Sequence, residues 1–106
     1  MLISEDKAQL NGNFPNSDSK IVTIHHQDIV PCALDLLNDL VKYKTVTLVA
    51  SGESIPTAVG VANIVTENMM KGNSKILDII VDSEDTHEKS GPSMVSIIKI
   101  TLAKTN

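Results

Sequence analysis

Apolar positions along this chain alternate with polar ones in some stretches and recur every three or four residues in others, so the pattern predicts both strands and helices. At the centre lies Val46 to Val65, VTLVASGESIPTAVGVANIV, which reads as a strand, a tight glycine turn and a long apolar helix. Val46, Thr47, Leu48 and Val49 suit a strand with little solvent contact. Ser51-Gly52-Glu53-Ser54 ends it, and Ser54 is placed to cap a helix whose first turn holds Ile55 and Pro56. Ile55, Ala58, Val59, Ala62 and Val65 make one apolar stripe, with Val61 and Ile64 on a flank. Gly60 in mid-helix costs about 1 kcal/mol relative to alanine, which marks it as a close packing contact.

Before this unit, Lys20 to His25 is a short alternating strand with Ile21 and Thr23 on one face and Val22 and Ile24 on the other. Asp28 caps a second helix with Pro31 in its first turn, and Ile29, Cys32, Ala33, Leu36, Leu37, Leu40 and Val41 form its stripe. The central helix runs to Met70 and stops at Gly72. Lys75 to Asp82 and Met94 to Lys104 are two further strands, the latter with Ile98, Ile100 and Leu102 on one face and Lys99, Thr101 and Ala103 on the other. Ser83 to Ser93 is polar, charged and ends in Gly-Pro, the pattern of a long hairpin loop. The order βαβαββ contains two crossovers, and right-handed connections would bring both helices to one face of the sheet. The expected fold is therefore an α/β two-layer sandwich, a four-stranded mixed sheet with two helices on one face. Residues 1–19 lack an apolar period and read as a disordered tail before a domain spanning 20–106.

Composition narrows the functional classes. Phe14 and Tyr43 are the only aromatic residues, which excludes a base-stacking platform of several rings. Nine lysines and no arginine face thirteen acids, a formal net charge of −4, whereas a protein that coats DNA is usually basic. The lone Cys32 sits on an apolar stripe, so it reads as a core residue and supports neither a disulfide framework nor a cysteine-based zinc site. No apolar run reaches the length of a membrane span, and the opening MLISEDKAQL lacks the regions of a signal peptide. The expectation is a soluble intracellular protein, cytoplasmic or nuclear, without a membrane or a small-molecule substrate. Paired carboxylates at useful spacing, a metal cluster and a complete nucleophile triad are all missing, and Ser54 lacks the second glycine of a nucleophile elbow. The sequence therefore predicts no catalysis and no cofactor.

The element order, together with Gly52-Glu53-Ser54-Ile55 at the turn and the closing IIKITLAK, resembles the Alba family of nucleic-acid-binding proteins over about Lys20 to Lys104. In that family the first strand ends in a pair of lysines and the second runs into a Gly-Arg-Ala-Ile turn. Here His26-Gln27 and Gly52-Glu53-Ser54-Ile55 stand at those places, so both lysines and the arginine are replaced. The resemblance implies RNA or DNA as ligand and pairing as a homodimer or as a heterodimer with an Alba-like protein. Small eukaryotic Alba-like proteins include RNA-binding factors and subunits of the RNase P and MRP particles.

The candidate contact residues follow from these comparisons and from local chemistry. His25 and His26 end a strand, where His26 is placed for a phosphate or ribose contact, but neighbours on a strand point apart and make poor joint metal ligands. Gln27 inherits a place from the family's lysine pair. Ser51, Gly52 and Ser54 present backbone N–H groups at a helix start, a setting suited to an anion as well as to ordinary capping. In relatives the hairpin reaches along the nucleic acid, which gives His87 and Lys89 a candidate role in a loop otherwise read as solvated. Lys42 and Lys44 read as complements to a helix dipole.

Overall fold

The alternating stretches do become strands, and the backbone groups of each pair in one mixed sheet. The computed structural model describes residues 18–88 and 91–105, the side chains of 86–88 and 91–93 excepted. Its elements are β1 (Ser19–Thr23), α1 (Ile29–Lys42), β2 (Thr45–Ser51), a 3₁₀ turn (Gly52–Ser54), α2 (Ile55–Ile64), a π turn (Val65–Met69), β3 (Ser74–Glu88) and β4 (Gly91–Lys104). The sheet order is β1-β2-β4-β3. β1 and β2 are parallel, with Thr23 opposite Val49, while β4 runs antiparallel to both β2 and β3. The chain thus passes from β2 through α2 to β3, and β4 returns to fill the space between them.

Both helices cover one face. Val46, Leu48 and Ala50 of β2 and Ile98, Ile100 and Leu102 of β4 are buried beneath Cys32, Ala33, Leu36 and Leu40 of α1 and Ala58, Val61 and Ala62 of α2. The two-layer sandwich read from the alternation is the fold found. The open face carries Ile21, Thr47, Lys99 and Thr101, so β2 is buried on one side only. There the Thr47 and Thr101 hydroxyls share a hydrogen bond of 3.0 Å.

Several local expectations change. Within the stretch expected to be a loop, Ser83 to Glu88 and Gly91 to Ser93 continue the two strands: register pairs run on from Ser83 opposite Ser96 to Glu88 opposite Gly91. These six pairs extend past the end of β2 as a two-stranded ribbon of roughly 20 Å, on which Ser83, Glu84 and Asp85 are exposed. On α2 it is Val61 that enters the core, while Val59 is 38% exposed. Val41 on α1 is 66% exposed, outside the buried part of its stripe. Neither Asp28 nor Ser54 makes a side-chain capping bond, although each occupies the N-cap position. α2 closes as a π turn in which the Met70 N–H donates to the Val65 carbonyl at 2.7 Å, and this wider turn leaves both residues buried. Of the expected tail, residues 1–17 lie outside the described residues, and Ser19 already pairs with Thr45 in the sheet.

Candidate functional site

Strand direction decides which loops meet. Because β1 and β2 are parallel, the segment after β1, holding His25, His26 and Gln27, and the segment after β2, holding Ser51, Gly52 and Ser54, leave the same end of the sheet. β4 is antiparallel to β2 and pairs Ile97 with Ser51, so the β3–β4 ribbon projects beyond that same end. The topology gathers three candidate segments that are far apart in sequence.

Each segment has a local cause. The Ile24 N–H donates to the Val49 carbonyl at 2.8 Å, extending the parallel pairing one residue past β1 and delivering His25 and His26 to an exposed loop. The Gln27 Oε1 accepts the His25 backbone N–H at 3.1 Å, so Gln27 shapes this loop from within. At the second turn Gly52 has φ +53°, a conformation that glycine adopts without strain. A β-carbon there would lie 3.8 Å from Val95 Cγ1, which places the turn against the base of the ribbon. Ser51 and Gly52 are exposed and Ser54 is half-buried. The candidates His87, by its side chain, and Lys89 altogether lie outside the described residues; the His87 backbone pairs with Pro92.

The electrostatics of this end are acidic. Among the described residues Asp28, Glu53, Asp82, Glu84 and Asp85 are exposed there, and Asp35 lines the cleft beside His25 and Gln27, which reaches along α1 to Asp39. Lys20 belongs to the far half of β1, where its ammonium meets the Asp39 carboxylate at 3.0 Å and lies 5.6 Å from the centre of the Tyr43 ring. Its hydrogen bond to Asp39, reinforced by that carboxylate's charge, holds the Lys20 pKa above its usual value. Lys20 is therefore committed to Asp39 and does not converge with the turn. Among the described residues the lysine nearest this end is Lys99, opposite Val49 on the open face, a position legible from strand alternation but not singled out by any motif. Among the described residues no three His, Cys, Asp or Glu side chains gather into a group that could hold a metal ion.

A two-layer sandwich with both helices on one face, two polar turns at one sheet end and a projecting ribbon defines a small α/β binding domain. A family model for Alba matches residues 20–82, more than half of the chain, and the chain belongs to the Alba family. Among solved structures it is similar to Alba from Thermoplasma volcanium, at 26% sequence identity and a TM-score of 0.69, over 79% of this chain and 99% of that one. No curated protein matches the chain. At the level of the family, membership carries nucleic-acid binding and oligomerisation.

Proposed function

We propose that this chain is a non-catalytic nucleic-acid-binding protein that takes RNA in preference to DNA and works inside the cell, in the cytoplasm or nucleus, as a homodimer or with a basic Alba-like partner. The observation that carries the reading is the gathering of the His26-Gln27 loop, the Gly52 turn and the ribbon at one end of an Alba-family sheet. The preference for RNA rests on the chemistry of the replacements. Coating duplex DNA draws its affinity from neutralised phosphates, and this end carries Glu53 and neutral side chains where the family has cations. His26, Gln27, Ser51 and Ser54 offer neutral donors and acceptors of the kind that read 2′-hydroxyls and unstacked bases.

Pairing is supported by the edge strand. Leu77, Ile79, Ile80 and Val81 of β3 are 47 to 73% exposed; Ile79 and Val81, opposite Ile100 and Ile98, form an apolar patch on the helix side of this edge strand, where Val59 of α2 is also exposed, while Ile80, opposite Lys99, lies on the open face. A partner chain covering this patch would bring a second ribbon, and a basic partner would supply the cations this end lacks.

The second reading is an assembly subunit of a ribonucleoprotein or chromatin complex that meets only protein, and the acidic end of the sheet favours it. Filter-binding titrations with structured and single-stranded RNA and with duplex DNA, each at two salt concentrations, separate the two. The first reading expects micromolar binding by the chain alone, stronger for RNA, with a shallow salt dependence. Absence of binding even at low salt leaves the assembly role.

A further inference from the structure

The charges of the domain are segregated along the strand direction. Among the described residues, the ribbon end holds Asp28, Glu53, Asp82, Glu84 and Asp85 with Lys99 as the nearest cation. The opposite end, where α1 and α2 finish, β2 and β3 begin and β4 terminates, holds Lys20, Lys42, Lys44, Lys71, Lys75 and Lys104 against Asp18, Asp39, Glu67 and, one register step further in on β3, Asp78. A chain with a formal charge of −4 thus presents one locally basic surface, and it lies opposite the turns.

That surface has shape as well as charge. Lys42 and Lys44 flank Tyr43 where α1 passes into β2, and with Lys104 and Thr105 at the end of β4 they line a single groove. Lys75 pairs with Ala103 on the adjoining strand, one residue from Lys104 in the register. Lys42, Lys44, Lys75 and Lys104 are exposed and make no ion pair among the described residues, while Asp39, the acid closest to α1's end, is already held by Lys20. Unpaired ammonium groups around a shallow groove have no internal role to satisfy. Helix-dipole complementarity explains Lys42, in the last turn of α1, but not Lys104, which comes from a different element.

We infer that the groove bounded by Lys42, Lys44 and Lys104 is this chain's own phosphate-binding surface, taking the backbone of a nucleic-acid strand at the end of the domain opposite the family's turns. The inference rests on the nucleic-acid reading above and assigns its electrostatic part to a different face. An RNA strand held here by three ammonium contacts leaves the acidic ribbon free to face a basic protein partner. Lysines act on phosphates as point charges, so the groove binds without regard to sequence, and any selectivity belongs to the neutral groups at the other end.

Single charge reversals test this, because they alter net charge equally and differ only in place. With a 5′-labelled 20-nucleotide single-stranded RNA at low salt, Lys44→Glu and Lys104→Glu are each expected to weaken binding about tenfold or more, and Lys99→Glu by about twofold. The triple variant K42A/K44A/K104A is expected to lower the slope of log affinity against log salt by about two, from three lost contacts at roughly 0.7 each for a single strand. Circular dichroism confirms that each variant is folded. Equal losses for Lys44→Glu and Lys99→Glu, or an unchanged slope in the triple variant, would overturn the assignment while leaving nucleic-acid binding in place. A wild-type chain that binds no RNA removes both. Salt-sensitive self-association that disappears in the triple variant, without any effect on RNA affinity, would show that the groove receives the acidic ribbon of a second copy instead, and would equally overturn it.

Discussion

The β-carbon that Gly60 lacks would stand 2.8 Å from Cδ1 of Ile29, so the two helices cross with a side chain of α1 seated over the glycine of α2. Alanine at this position gains about 1 kcal/mol of helix propensity, and the atom it meets is the movable end of a side chain that is 39% exposed. Gly60→Ala is therefore expected to lie within about 1 kcal/mol of the wild type. Gly60→Leu, which cannot be relieved by one rotamer change, is expected to destabilise by about 1 to 3 kcal/mol. Urea titrations measure both, and Ile29→Ala combined with Gly60→Leu should recover part of the loss.

Gly52 tests a different cost. Its φ of +53° lies in the left-handed region, and the nearest atom to an added β-carbon is 3.8 Å away, so space is not the issue. Gly52→Ala should lose about 1 to 2 kcal/mol through backbone strain alone, and Gly52→Asn less, since asparagine tolerates this conformation better. Equal losses for the two variants in a thermal melt would point to packing against Val95 instead.

The Thr47–Thr101 hydrogen bond on the open face predicts a coupled pair. Thr47→Val or Thr101→Val alone leaves one hydroxyl without its partner and is expected to cost about 0.5 to 1.5 kcal/mol. The double change to valine keeps both β-branched shapes and removes both hydroxyls, so it should cost less than the sum of the singles. A double-mutant cycle in urea reads this directly.

Cys32 gives a pH dependence with a definite sign. Burial raises its thiol pKa above the usual 9.0, so on raising the pH the unfolded chain releases this proton before the folded one. The contribution is fully present below the unfolded pKa and declines above it, by no more than about 1.4 kcal/mol per pH unit. Between about pH 7.5 and 9.5 the wild type should lose more stability than Cys32→Ala, although the alanine variant starts lower because it leaves a small cavity.

The exposed edge of β3 predicts the oligomeric state. Val81 is 73% exposed at the middle of the strand, opposite Ile98 in the register. Val81→Lys is expected to convert a dimer to monomers by light scattering while leaving the thermal unfolding of the monomer within about 0.5 kcal/mol, as for other exposed positions. A wild-type chain that is monomeric at high micromolar concentration would mean that the patch is covered only by a different partner.

Much of this molecule is legible in its sequence because half-buried elements must alternate or recur. The alternation in KIVTIH and IIKITLAK separates the residues the sheet buries from those it leaves out, and the α1 stripe is buried from Cys32 through Leu40, whereas VTLVAS, an apolar run expected to have little solvent contact, is buried on one side only. The pattern fails where burial is not one-sided. α2 is apolar almost all round, so periodicity alone could not choose Val61 over Val59 for the core; the position of α1 and the sheet chose. The ribbon fails for the opposite reason. Ser83 to Asp85 are exposed on both faces, so no alternation marks them, and their strand form comes from backbone pairing with the residues around Met94 that only the folded register supplies. By itself the sequence determined the order of elements and the composition of the core, since both follow from which local segments can bury an apolar face. Only the tertiary structure decided that Lys20 belongs to Asp39, that His26 and Gly52 share one end, and that the lysines gather at the other, because strand direction and register, not sequence distance, set which charges meet.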